Sequence, residues 1–172
     1  MELPTGDLNP QFIVNSQAPI RICDIGGWTD TWFAVYGKVL NIAVTPLATV
    51  TIASNLKGPG RDHIIINAEN FGDRYIFHQH GEWVKHPLIE AAISHIGIPD
   101  NLSVEITISC AAPAGSATGT SAAVTVALIG ALARLNNWQV APAQAAQIAH
   151  KVETELLGQQ SGIQDQICAA HG

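Results

Sequence analysis

Residues 102–110 read Leu-Ser-Val-Glu-Ile-Thr-Ile-Ser-Cys, an unbroken alternation of apolar and polar side chains. Period two marks a strand with one buried face, and that face requires a covering layer of other elements. The sequence that follows supplies one. Ala111–Gly119 is a loop of small residues, and Thr120–Leu135 is an apolar, alanine-rich helix. Pro142 suits the first position of another helix running to Leu157, with Gly158 as its C′ stop. Ser161-Gly-Ile-Gln164 has the form of a capping box, so a further helix should begin there.

Upstream, Phe12–Cys23 reads as extended, with a turn near Gln17–Pro19, and Val39–Ala53 is rich in β-branched residues, with Pro46 as a break or edge position. His63–Asn67 and Arg74–His78 look like a hairpin pair, and Pro87–Ile96 like a helix stopped by Gly97. Strands come first and helices second, which indicates an α+β fold. The 172 residues hold no repeat or linker, so one domain is expected.

Composition narrows the function classes. Eight Lys+Arg against fourteen Asp+Glu give a formal charge of −6, with no basic cluster, which argues against nucleic acid as partner. The longest apolar stretch, Ala122–Ala133, is too short for a bilayer span of about 20 residues. Met-Glu-Leu-Pro at the start lacks a secretory pattern. Cys23, Cys110 and Cys168 form neither a disulfide framework nor a zinc pattern, and are expected to be small buried hydrophobes in a reducing compartment. The expectation is a cytoplasmic chain without a membrane partner.

Three segments look chemical. Pro113-Ala-Gly-Ser-Ala-Thr-Gly-Thr-Ser-Ala-Ala123 joins the buried strand to the apolar helix. Free amides at the helix start, with its dipole, would make an anion site, and Thr120 and Ser121 add hydroxyls. No lysine follows the second glycine, so this is not a Walker A loop. The ordinary alternative is a Gly/Ser turn with a Thr N-cap. The second segment holds Glu153 and Asp165. Asp165 falls in the first turn of the last helix, and Glu153 flanks the apolar stripe of its own helix, from which it could reach inward to a metal. On spacing alone, helix-end stabilisation by acidic residues is the better-supported explanation for either, and Glu155 fits it too. The third segment is Ala18-Pro-Ile-Arg-Ile-Cys-Asp-Ile-Gly-Gly-Trp-Thr-Asp30. An aromatic face beside carboxylates suits a sugar, as it also suits a surface turn with a structural Trp. The seven histidines show no metal-ligand spacing, and no Gly-x-Ser-x-Gly elbow is present.

Taken together, in order, the three segments resemble the GHMP kinases, the superfamily of galactokinase, homoserine kinase, mevalonate kinase and phosphomevalonate kinase. Pro113-x-Gly115-Ser116-x-x-Gly119-Thr120-Ser121-Ala122 is similar to the family's phosphate loop, usually Pro-x-Gly-x-Gly-Leu-Gly-Ser-Ser-Ala. Glu153-x4-Gly158-x3-Gly162-Ile-x-Asp165-Gln166 is similar to the segment with the metal-binding glutamate and catalytic aspartate. Ala18-Pro-x-Arg21 through Gly26-Gly-Trp-Thr-Asp30 resembles the first motif, in the form nearest the fucokinase and heptose-phosphate kinase branch.

The resemblance implies an α+β amino-terminal GHMP domain over residues 1–172, with a mixed sheet packed by helices, of the kind shared with a ribosomal small-subunit protein. It implies ATP as cofactor, wrapped by Pro113, Gly115, Ser116, Gly119, Thr120, Ser121 and Ala122, and Mg²⁺ held by Ser121 or Thr120 with Glu153. Asp165 would take the hydroxyl proton, with Arg21 near the reacting groups. Asp24, Gly27, Trp28, Asp30 and Gly162 would bind a sugar or sugar phosphate. Ala117 and Thr118 replace the family's Gly-Leu, implying an altered or stiffer loop path. Gly27 and Trp28 stand where galactokinases carry Glu and His, which argues against galactose itself. Family members continue past this point into a second domain, so the resemblance implies a carboxy-terminal GHMP partner, in cis or in trans, or a homodimer. The competing class is a non-catalytic nucleotide- or sugar-binding module of the same fold.

Overall fold

Strand β5 (Leu102–Cys110) has the predicted bounds and sits at the centre of a five-stranded sheet ordered β1-β2-β5-β3-β4. The fold is known from a computed structural model that describes residues 10–58, 63–113 and 115–172. The expectation for residues 1–4, and Ala114 of the phosphate loop, lie outside the described residues. β1 (Phe12–Ile25) runs antiparallel to β2 (Leu40–Leu56), and β2 runs antiparallel to β5. β3 (Ile64–Ala68) pairs parallel with β5 and forms a hairpin with β4 (Asp73–Phe77). The sheet is therefore mixed, as the α+β expectation requires.

Alternation decides which face is covered. Ala48, Val50 and Ile52 of β2 and Val104, Ile106 and Ile108 of β5 are buried on one side. Helices α1 (Pro87–Ile96), α2 (Thr120–Leu135), α3 (Pro142–Lys151) and α4 (Gln164–His171) complete the domain. α2 lies on β1, β2 and β5, and the other three helices pack around it or against each other. Its alanines allow this close approach, since Ala123, Ala127, Ala131 and Ala133 have almost no exposed surface.

Some local expectations were overturned. No turn interrupts β1 at Gln17–Pro19, because β2 pairs with it along its whole length. The interruption lies on the partner strand instead. Pro19 faces Leu47 and Ile20 faces Val44, so Thr45 and Pro46 bulge out of the ladder. Pro46 thus marks the expected break, but on an inner strand, where a bulge absorbs its missing donor. The α3 helix does not continue as α-helix to Leu157. It passes into a π-helical turn, Val152–Leu156, in which Leu157 N–H donates to Val152 O. α4 begins at Gln164, and Ser161 does not cap it; the Ser161 hydroxyl donates to the Gly162 carbonyl. All three cysteines are free, but Cys110 alone is buried, and Cys23 and Cys168 are half-buried.

Candidate active site

The loop after β5 lies against the edge of the sheet, where Arg21 N–H of β1 donates to Thr118 O at 2.9 Å. Gly115, Ala117 and Gly119 have φ of 76°, 57° and 67°. Gly119, not Thr120, occupies the N-cap position of α2, and no side chain among the described residues caps that helix. Its first-turn amides, Thr120 to Ala122, are therefore left for a ligand, beside the positive end of the helix dipole. The hydroxyls of Ser116, Thr118 and Thr120 form a chain with links of 2.7 and 3.1 Å.

Arg21 and Asp165 meet beside this loop, although 144 residues separate them. Arg21 Nε donates to Oδ1 at 2.7 Å and Nη2 donates to Oδ2 at 2.9 Å, a bidentate pair. Arg21 Nη1 donates to Ala117 O, so one guanidinium joins the loop to α4. Gly119 fits between them. A Cβ on it would lie 3.1 Å from Arg21 Cγ and 3.3 Å from Asp165 Oδ2, at a φ that L side chains resist.

Glu153 lies within the π-helical turn and is only 5% exposed. π-turns recur at functional sites, and from this one Glu153 points inward while Glu155, two residues on, stays at the surface near Lys151. Burial pushes the Glu153 carboxyl up, and the Asp165 charge adds to this. Ser161, His150 and Gln166 oppose it. The fully buried Gln166 donates Nε2 to Glu153 Oε2 at 2.5 Å. A buried carboxylate held up in pKa by desolvation is a hard-oxygen donor that would gain from a nearby divalent cation.

These groups surround one cavity of about 630 Å³. Arg21, Asp165, Gly115, Ser116 and Gly119 to Ser121 line one side, and Trp28, Asp30 and Gly162 line another. Trp28 is 61% exposed at a φ of 70°. Pro113, Ala122, Gly27 and Asp24 do not face the cavity, nor does Glu153, which sits beneath its lining. The third wall is absent from the sequence reasoning: Phe71, Lys85, His86 and the start of α1. His86 Nε2 lies 2.9 Å from Asp73 Oδ2, and its ring packs against Phe71 at a tilt of 47° with centroids 4.9 Å apart. The buried Glu90 carboxylate accepts the amides of Val84, Lys85 and His86 together with the Tyr75 hydroxyl, whose pKa is raised by burial and by Glu90. The nearest signal was the Lys-His-Pro sequence before a helix with Pro at N1, which carries no chemistry of its own.

Residues 85–172 match the family profile described as GHMP kinases N terminal domain, which is just over half of the chain. The chain belongs to the GHMP kinases. A bifunctional fucokinase/GDP-fucose pyrophosphorylase of Arabidopsis thaliana is 27% identical over 165 residues, covering 88% of this chain and 16% of that protein. A mevalonate kinase of Thermococcus sibiricus is 41% identical over 69 residues, covering 40% of this chain. The chain spans 21% of the length of that mevalonate kinase. Among solved structures, a D-glycero-D-manno-heptose 1-phosphate kinase from Bacteroides thetaiotaomicron superposes with a TM-score of 0.77 at 26% identity, covering 94% of this chain and 54% of that one. A galactokinase of Lactococcus lactis shares the fold with a TM-score of 0.74 at 21% identity, covering 95% and 43%.

Ala117 of the loop before α2 is a non-glycine residue at a left-handed φ of 57°. A non-glycine residue there is strained by about 1–2 kcal/mol, partly offset by the stiffer unfolded chain. Ala117→Gly should therefore stabilise the domain by a net amount of about 0.5–1 kcal/mol, read as a rise in the urea midpoint at unchanged slope.

Proposed function

We propose that this chain forms the nucleotide- and acceptor-binding half of an ATP-dependent kinase that phosphorylates a hydroxyl of a sugar or sugar phosphate. The observation that carries the reading is the bidentate Arg21–Asp165 pair, set beside the uncapped start of α2 in one cavity with Trp28 and Asp30. The phosphates of ATP would take the amides of Thr120, Ser121 and Ala122, with Arg21 balancing charge near the transferred group. Asp165 would accept the proton of the attacking hydroxyl through the carboxylate that Arg21 now orients. Ser121 and Glu153 would hold Mg²⁺, which supplies charge neutralisation at the phosphates. Trp28 offers an aromatic face to a sugar ring and Asp30 an acceptor for hydroxyls. The alignment of 88% of this chain with part of a bifunctional fucokinase, and the likeness to a heptose 1-phosphate kinase, support a sugar rather than mevalonate as the proposed acceptor.

A second GHMP domain, in cis or in trans, belongs to this proposal. Ile22 faces Ile42 and Ile25 faces Leu40 across the β1–β2 ladder, and all four are half or more exposed. An apolar patch of this kind suits a domain interface, or the contact of a homodimer. Among the described residues no helix is long and apolar enough to cross a membrane. The three free cysteines suit a reducing compartment, and a cytoplasmic location belongs to the proposal on that ground.

The test is ADP release with MgATP and a panel of L-fucose, heptose 1-phosphates, galactose and mevalonate. The chain is assayed both alone and with a carboxy-terminal GHMP domain supplied in cis or in trans. Turnover of a fucose or heptose acceptor, with mevalonate inert, is the expected result. Sugar binding without any turnover would instead support the non-catalytic module.

A further inference from the structure

The first turn of α4 carries Asp165, yet its cap comes from outside its own segment. Gln164 N–H donates to Asp30 Oδ2 at 2.9 Å, across 134 residues of sequence. The Gln164 carbonyl accepts from Asn41 Nδ2 at 3.1 Å, and its side-chain Oε1 accepts from Cys23 Sγ at 3.5 Å. The β1–β2 hairpin and the turn that follows β1 therefore grip the residue next to Asp165 at three points. The turn is itself tied down, with Thr29 Oγ1 donating to Gly26 O at 2.6 Å and Thr31 Oγ1 to Trp28 O at 2.5 Å.

Gly162 shows how closely the carboxylate is seated. A Cβ there would fall 2.1 Å from Asp30 Oδ2 and 2.3 Å from Oδ1, while the Gly162 backbone itself is not in the left-handed region. The missing side chain makes room for Asp30. One oxygen of that carboxylate is occupied by the helix. The other, Oδ1, is buried with no hydrogen-bond partner among the described residues, an arrangement that native proteins keep where something else uses the group.

A cap supplied locally by Ser161 would satisfy the Gln164 amide without involving the turn. Capping from Asp30 does more, because the turn that offers Trp28 to the cavity also sets the first turn of the helix bearing Asp165. We infer that Asp30 is a positioning residue for Asp165: through the Gln164 amide it fixes the start of α4, so that the acceptor-side turn and the proposed base move as one unit. This rests on the reading of Asp165 as the base.

The experiment is a double-mutant cycle of Asp30→Ala and Gly162→Ala, with Asp30→Asn as the conservative control. Amide exchange over residues 160–171 is followed by mass spectrometry on the 172-residue chain. Asp30→Ala should speed exchange at residues 164–166 by about fivefold to tenfold, in keeping with a lost cap, and leave α2 unchanged. Gly162→Ala should do the same, because its Cβ evicts the carboxylate, and should add almost nothing on top of Asp30→Ala. Asp30→Asn should restore slow exchange, since asparagine caps as well as aspartate. Unchanged exchange in Asp30→Ala, or additive effects in the cycle, overturns the inference.

Turnover supplies the readout that a purely structural cap would not move. Asp30→Ala should lower kcat roughly tenfold or more with the MgATP dissociation constant within about twofold of wild type. Asp30→Asn should recover kcat while the acceptor KM stays raised. Equal kcat in the two variants, despite different exchange, counts against positioning. If exchange follows the cycle but the wild-type chain, supplied with a carboxy-terminal GHMP domain, phosphorylates no acceptor, the coupling of Asp30 to α4 stands and the kinase reading fails.

Discussion

Asp165→Asn should leave the chain folded and able to bind MgATP, and should cut phosphoryl transfer by about two to four orders of magnitude, the range of general base catalysis. The substitution keeps the shape and one acceptor oxygen, so Arg21 Nε or Nη2 retains a partner while the other donor faces an amide NH2. That mismatch in a half-buried pair lowers stability by about 1–2 kcal/mol, too little to unfold a domain of this size. Thermal melts separate the two effects, and ADP release at saturating ATP and acceptor measures the chemical one. Turnover equal to wild type would remove Asp165 from proton transfer.

Arg21→Ala should be the more damaging change for stability and nearly as damaging for turnover. The guanidinium makes three side-chain hydrogen bonds, two to Asp165 and one to Ala117 O, and its backbone holds Thr118 O. Losing the side chain leaves Asp165, 23% exposed, without its counter-charge, and frees the middle of the loop before α2. We expect a loss of about 2–3 kcal/mol and a fall in kcat of about a hundredfold or more. Arg21→Lys should recover little, because a single ammonium cannot bridge both carboxylate oxygens and the loop carbonyl. Urea denaturation and steady-state kinetics on the pair of variants check this, and full rescue by lysine would show that charge alone suffices.

The elements that were legible in advance are those in which local pattern and tertiary packing agree. β5 alternates because one face is covered, α1 opens on Pro87, and α2 follows a loop of small residues; all three have their expected bounds. Features settled by distant partners were not legible. Gln17–Pro19 resembles a turn until β2 pairs across it. Ser161 and Gln164 have capping-box spacing, yet the amide concerned is taken by Asp30, whose distance in sequence hides it from any local rule. Glu153 and Glu155 fall about 200° apart on a helical wheel, so at most one faces the core, and packing rather than spacing decides which. The Phe71, Lys85 and His86 wall has no motif, because burial of Glu90 and stacking create it rather than spacing.

One backbone contact has a further consequence. β1 is an outer strand of the sheet, and outer strands offer unpaired amides to any neighbouring chain. At Arg21 that offer is withdrawn, because the phosphate loop has laid the Thr118 carbonyl on the strand. The segment that would cradle a nucleotide thus also shields part of an adhesive border. Substitutions that free the loop would therefore do more than weaken ligand binding: they would uncover strand edge beside Ile22 and Ile25 and invite intermolecular sheet growth.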